Sequence, residues 1–314
     1  MRDYLLRRLV SVIPVLFLVS LMSFAVIWII PGDPTAAFLD ASSTPEDVAR
    51  LREMLGLDKP PLVQMAEWYG RVLSGDVGQS ILLRIPVLSA ILERLPLTLL
   101  LAALALIVAV GFGVAAGTYA ATRRGSWADQ SVMSLALLGL SVPDFWLGLL
   151  LIVVFSVQLG WLPSGGYVPL LDDPIGWAKS MILPTITLAV VQVGFIARMT
   201  RSAMLDVISQ DFMRTADAKG LSGLYIILRH GLPNAMMPIL TVTGIIAGAL
   251  LGSAVVVEQV FALPGVGRLI IGGILSRDYP IIQGGLLFLT VIYLLINLVV
   301  DLLYATVDPR VRLE

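Results

Sequence analysis

The stretch RTADAKGLSGLYIILRHGLP, residues 214–233, interrupts an otherwise apolar second half of the chain with polar, helix-forming sequence. Asp211 is placed to cap a short helix over Phe212–Lys219 that Gly220 ends. Ser222 is placed to cap a second that runs to His230 before Gly231 and Pro233 stop it. Phe212 and Ala216 share one face of the first helix, flanked by Arg214 and Lys219. A short helix with an aromatic and small residues on one face suits a groove on another protein. It suits equally a loop lying on a membrane surface.

The segments on either side of this loop, Met181–Ile196 and Met236–Val257, are apolar enough to enter a bilayer. Farther out lie Pro96–Ala121, Ser131–Val157, Ile281–Ala305 and Leu9–Ile30, which brings the expected spans to six. Leu9–Ile30 is uncharged, follows Arg2, Arg7 and Arg8, and ends in Pro31-Gly32-Asp33-Pro34 instead of an Ala-x-Ala site, so a first transmembrane helix is expected rather than a cleaved signal. Composition agrees: 58% of the 314 residues are hydrophobic and 14% charged, and mean hydropathy is +0.92. Soluble domains carry about 25% charged residues.

With the N-terminus inside, twelve basic residues fall on the inner side: Arg2, Arg7, Arg8, Arg123, Arg124, Arg198, Arg201, Arg214, Lys219, Arg229, Arg310 and Arg312. The short outer loops hold three, Lys179, Arg268 and Arg277. That asymmetry predicts both termini in the cytoplasm. Trp161, Tyr167 and Trp177 suit an interfacial aromatic belt in the outer loop between Val157 and Met181.

The expected organisation is an N-terminal tail and first span over 1–30, an extracytoplasmic segment over 31–95, and a five-helix core over 96–314 with the inner loop at 198–235. The outer segment has a soluble composition. Thr44-Pro45-Glu46-Asp47 starts a helix with a Val48, Leu51, Leu55 stripe and a Gly56 stop, and Ala66, Tyr69 and Leu73 mark a second helix over Leu62–Leu73. A segment of this size is too small to stand alone and is expected to pack on the membrane bundle. Gly113-x-x-x-Gly117 and Gly244-x-x-x-Gly248-x-x-x-Gly252 offer flat helix faces for close contact.

Several function classes are excluded. A net charge of -1 without a basic stripe gives no nucleic-acid footprint. No cysteine is present and His230 is the single histidine, so no disulfide, thiol nucleophile or multi-His metal cluster can form within the chain. Lys59, Lys179 and Lys219 follow Asp58, Ala178 and Ala218, so none belongs to a phosphate-binding Gly-Lys loop, and no hydrolase signature appears. Polar groups expected at membrane depth are Asp144 beside Pro143, Gln192, Asn297 and Asp301. Each is costly in lipid, by at least about 2.5 kcal/mol for a charge at the bilayer centre, so each faces a bundle interior or an aqueous path. Asp144 and Gln192 are the candidates for a translocation path; Asp144 could equally make a structural hydrogen bond, or couple an ion in a secondary transporter acting alone.

The spacing of the 214–233 stretch resembles the coupling loop of bacterial ABC-importer permeases: E-A-A, three residues, Gly, nine residues, I-x-L-P. Ala216, Gly220, Leu232 and Pro233 agree with that pattern, whereas Arg214, Thr215 and His230 depart from it. The R-T-A-x-A-K-G-L-S form is similar to the peptide and nickel branch. So are Pro31–Pro34, Leu55-Gly56-Leu57-Asp58, Gly75-Asp76-Val77-Gly78, Val257–Phe261 with Pro264-Gly265-Val266-Gly267, Arg277-Asp278-Tyr279-Pro280 and Asp308-Pro309-Arg310.

The resemblance implies an all-α membrane protein of six transmembrane helices, like a type I ABC-importer permease with a helical outer insertion. It implies the first of two permease subunits for dipeptides, oligopeptides or glutathione, or alternatively for nickel. Its expected partners are a homologous permease, two cytoplasmic ATPase subunits, an extracytoplasmic binding protein and the lipid bilayer. ATP and Mg would bind in the ATPase subunits and no cofactor in this chain. The coupling-loop residues so implied are Phe212, Arg214, Thr215, Ala216, Lys219, Gly220, Leu232 and Pro233.

Overall fold

A computed structural model of the chain describes residues 2–29, 44–54 and 58–307. The Pro31–Pro34 tetrapeptide, Leu55 and the Gly56 stop, and the Asp308–Arg310 ending with Arg312 lie outside the described residues, as do the side chains of Arg2, Arg7, Arg8, Val48, Leu51 and Asp301. The elements in order are α1 (Arg2–Ile29), α2 (Pro45–Met54), α3 (Pro61–Leu73), α4 (Val87–Thr122), α5 (Trp127–Ser141), α6 (Asp144–Leu151), α7 (Pro174–Ile208), α8 (Asp211–Ala218), α9 (Gly223–Ile226), α10 (Leu232–Val260), α11 (Val266–Ser276) and α12 (Tyr279–Val307). Apart from one isolated bridge between Gln79 and Pro86, the described residues form no β-structure.

Among the described residues, four stretches are singly long and apolar enough to cross a membrane: Val87–Thr122, Pro174–Ile208, Gly223–Val260 and Tyr279–Val300. The expected span Ser131–Val157 is instead two helices, α5 and α6 with its π-helical continuation Ile152–Gln158, bent by 102°. Pro143 is the cause. It has no N–H to donate and its ring disfavours helical backbone at the preceding residue, so Val142 is extended at φ -91°, ψ 124°. Asp144 then opens α6, where the positive end of the peptide dipoles favours a carboxylate.

By internal packing the chain divides into two units. The first comprises 1–96 and 265–294. In it α3 lies against α1: Phe17 stacks on Tyr69 at 6.4 Å, the rings of Phe24 and Trp68 are 5.9 Å apart, and the Ser20 and Tyr69 hydroxyls share a 2.8 Å hydrogen bond. Helix α3, in the segment over 31–95, is thus packed on α1. A second core joins Val87 and Ile91 of α4 to Val266 and Ile270 of α11 and Ile281 of α12. Beside it the buried Asp278 carboxylate accepts from the Ser80 hydroxyl at 2.5 Å and from the Leu82 N–H at 3.1 Å. Helix α11 was not anticipated: it has 11 residues, too short for a span, and lies in a stretch that reads as a loop.

The second unit comprises 97–264 and 295–314. There α7 packs on α5, α6 and α10. The Gly113 and Gly117 face of α4 meets α7 directly: a Cβ on Gly117 would stand 2.4 Å from the Ala197 carbonyl oxygen, and one on Gly113 2.7 Å from Ile196 Cβ. Gly244 and Gly248 of α10 are buried, whereas Gly252 faces open space. Near the end of α10 the fully buried Glu258 accepts from the Thr98 hydroxyl at 2.6 Å.

Candidate functional site

The loop between α7 and α10 is a short helical hairpin. Asp211 is the first residue of α8 rather than its cap; Gln210 takes the cap position without a side-chain bond, and Asp211 is highly exposed, 3.6 Å from Arg214. Such a surface pair contributes little. Thr215 donates its hydroxyl to the Asp211 carbonyl at 2.9 Å. Gly220 ends the turn with φ +77°, donating its N–H to the Asp217 carbonyl at 2.8 Å. No neighbouring atom lies within 4 Å of where its Cβ would be, so glycine is required here by the backbone and not by space.

Burial corrects the expected face of α8. Met213 and Ala216 turn inward, into a core with Met204 and Val207 of α7, Ile226 of α9 and Ile239 of α10. Phe212 sits at the edge of that face, 39% exposed. Ala216 thus seats the helix, while Phe212, Arg214, Thr215, Lys219 and Gly220 are presented outward. The exposed surface continues with Leu224 (73%) and Tyr225 (49%) of α9 and Leu228 (53%) just beyond it. These three were missed from sequence, although apolar residues at i, i+1 and i+4 beside a buried Ile226 were the available signal. Between this hairpin and α4 runs a groove of about 1050 Å³, lined among others by Val114, Thr118, Met213, Arg214 and Leu228.

The expected stop at Gly231 and Pro233 does not occur. From Ile226 the chain continues through a π-helical turn, Ile227–Gly231, straight into α10, with Pro233 exposed in its first turn. The wider π-helical turn ahead of it replaces a regular α-helical turn, so the helix carries on past a proline that has no N–H to donate. Leu232 packs against the hairpin core, and the Asn234 side-chain amide donates to the His230 carbonyl at 2.6 Å. The hairpin is therefore built into α10 as well as α7.

Of the residues expected at membrane depth, Asp144 is half-buried at the start of α6, with the Ser253 hydroxyl of α10 as its hydrogen-bond partner. Gln192 is half-buried in the middle of α7. Among the described residues no three His, Cys, Asp or Glu side chains converge as a metal-ligand group.

Residues 113–313 match the family described as binding-protein-dependent transport system inner membrane component, and residues 1–102 match the corresponding N-terminal family. The chain belongs to the inner-membrane components of binding-protein-dependent transport systems. This inner-membrane component is 48% identical over all 314 residues to a putative peptide transport system permease protein of Brucella abortus (strain 2308), covering 100% of both chains. It is 42% identical over 312 residues to the glutathione transport system permease protein of Escherichia coli (strain K12), covering 99% of each. An inward-facing structure of the MetNI methionine ABC transporter aligns with it at a TM-score of 0.57 and 20% identity, over 70% of this chain and 97% of that one. At that identity the likeness establishes the fold, an ABC-importer permease. As an inner-membrane component the chain is a transport part rather than a catalytic one.

Proposed function

We propose that this chain forms half of the translocation path of an ATP-driven importer for peptides, of dipeptide, oligopeptide or glutathione type. The observation that carries the mechanism is the hairpin α8–α9, which presents Phe212, Leu224, Tyr225 and Leu228 outward while its inner face is locked into α7 and α10. A partner gripping that surface would move two long membrane helices at once. The end-to-end similarity to proteins named for peptide and glutathione transport supports the peptide reading over nickel.

In this reading α1, α4, the bent α5–α6 pair, α7, α10 and α12 are the six spans, and both termini face the cytoplasm, in keeping with twelve basic residues against three. Two ATPase subunits grip the hairpins of this chain and of a homologous permease, and the outer segment over 31–95 receives a binding protein. Co-purification with an affinity-tagged chain is expected to recover both ATPase subunits and the second permease, with ATP hydrolysis stimulated by the binding protein. Uptake by the isolated chain without nucleotide would overturn this in favour of a secondary transporter.

Asp144 and Gln192 are assigned to the path. At the helix break where α6 opens, Asp144 would meet the charged amino end of a peptide, and Asp144→Asn removes that charge at constant shape. Uptake by the assembled importer is expected to fall roughly tenfold, the equivalent of about 1.4 kcal/mol. Normal uptake of a labelled dipeptide by the Asn variant would remove Asp144 from the path.

A further inference from the structure

We propose that Asp129 and Arg201 form the strut through which movement of the α8–α9 hairpin reaches the helix break at Pro143; the inference rests on the importer reading above. Asp129 lies in the first turn of α5 with its side chain 4% exposed. Arg201, on α7 one turn beyond the Gly117 contact, donates to it as a fork: Nε to Oδ1 at 2.5 Å and Nη2 to Oδ2 at 2.6 Å. The Gly125 N–H adds a third donor to Oδ2 at 2.9 Å. No coupling-loop pattern includes either residue.

The contacts around this pair explain what it is for. At two points α5 and α7 approach closely over a glycine: a Cβ on Gly194 would stand 2.5 Å from the Ala136 carbonyl oxygen, and one on Gly139 3.3 Å from that of Val190. A glycine lets backbones approach closely but supplies no side chain of its own to resist sliding of one helix along the other. A buried ion pair adds little net stability over an apolar contact, because desolvation offsets the attraction. What a planar fork adds is direction: two parallel bonds fix position along the helix as well as distance.

The strut sits at the correct end of the lever. Downstream, α7 leads through Ser209 and Gln210 into α8, whose Met213 and Ala216 share a core with Met204 and Val207 of α7. Upstream, the twelve residue steps from Asp129 to Ser141 carry α5 about 18 Å to the break at Val142 and Pro143. Beyond the break Asp144 opens α6 beside Ser253. A push on the hairpin is thus passed by packing to α7, by the fork to α5, and along α5 to the residues assigned to the path.

The absence of cysteine from the chain allows single labels to report on both ends of this linkage. Leu224→Cys on α9 and Leu138→Cys on α5, 73% and 61% exposed, are each labelled with an environment-sensitive fluorophore in the full importer complex in vesicles. Trapping with ATP and vanadate is expected to change both signals in the native background. In Arg201→Met and in Asp129→Asn, which keeps the shape and an acceptor for Gly125, the Leu224 label is expected to respond as before while the Leu138 response falls at least about fivefold. Arg201→Lys, which keeps the charge and loses the fork, is expected to fall between. Full responses at both positions in the pair variants would overturn the proposal. Loss of both responses would overturn it too, because the pair would then only hold the fold together. Silence of both labels in the native complex would instead sink the importer reading, and the proposal with it.

Discussion

Replacing Gly117 with leucine is expected to cut the yield of folded, monodisperse protein at least about tenfold. The first added carbon would already sit 2.4 Å from the Ala197 carbonyl oxygen, 2.7 Å from Thr200 Cβ and 3.0 Å from the Arg201 nitrogen. Two of those atoms are α7 backbone, which cannot swing aside as a side-chain tip can, so the helices must separate. Overpacking of this kind costs about 1–3 kcal/mol and more where backbone has to move. Lipid offers no hydrophobic driving force to press the helices back together. The neighbouring Gly111→Leu is the control, because nothing lies within 4 Å of its Cβ position. Fluorescence-detected size exclusion of the two variants in detergent checks the result; equal profiles would show that α4 and α7 do not meet as described.

Gly220→Val has the second large effect, and it falls on transport rather than on folding. Gly220 is exposed and touches nothing, so valine meets no steric obstacle from neighbours. It meets the backbone instead: at φ +77° an L-residue pays about 1–2 kcal/mol, and a branched Cβ is worse placed still. The turn is expected to relax to negative φ, which swings Leu224, Tyr225 and Leu228 relative to Phe212. In the assembled importer, uptake is expected to fall at least about tenfold per ATP hydrolysed. Gly220→Asn, whose side chain tolerates left-handed backbone, is expected to retain most of the coupling. Measuring uptake and ATP hydrolysis together in vesicles tests the ranking; coupled uptake in the valine variant equal to that in the asparagine variant would sink it.

Both variants show where sequence reading succeeds and where it stops. Gly220 was legible because a helix end followed by glycine has one common backbone solution, and the structure has it. The long apolar runs of α4, α7, α10 and α12 were legible because their composition has no other stable environment. Pro143 inside the expected span Ser131–Val157 is a local signal for a break, but the 102° change of direction there is not encoded locally. The continuation through Gly231 and Pro233 was misread for a related reason. Proline reads locally as a stop, yet a wide turn ahead of it and the shared core beneath let the helix carry on.

Ala216 and Asp129 mark the limit most clearly. Local periodicity put Ala216 beside Phe212 but could not say which side of α8 would be covered, since that depends on Met204, Ile226 and Ile239 arriving from three other helices. Nothing local singles out Asp129, an acid in the first turn of α5 whose partner is 72 residues away. Membrane residence, the helical architecture and the position of the polar stretch between α7 and α10 followed from composition, hydrophobic run length and turn residues, because these act over a few residues of chain. The inward face of α8, the Asp278 and Glu258 hydrogen bonds and the Asp129–Arg201 strut were decided by tertiary structure, because each is a meeting of groups that neither local propensity nor hydrophobic pattern encodes.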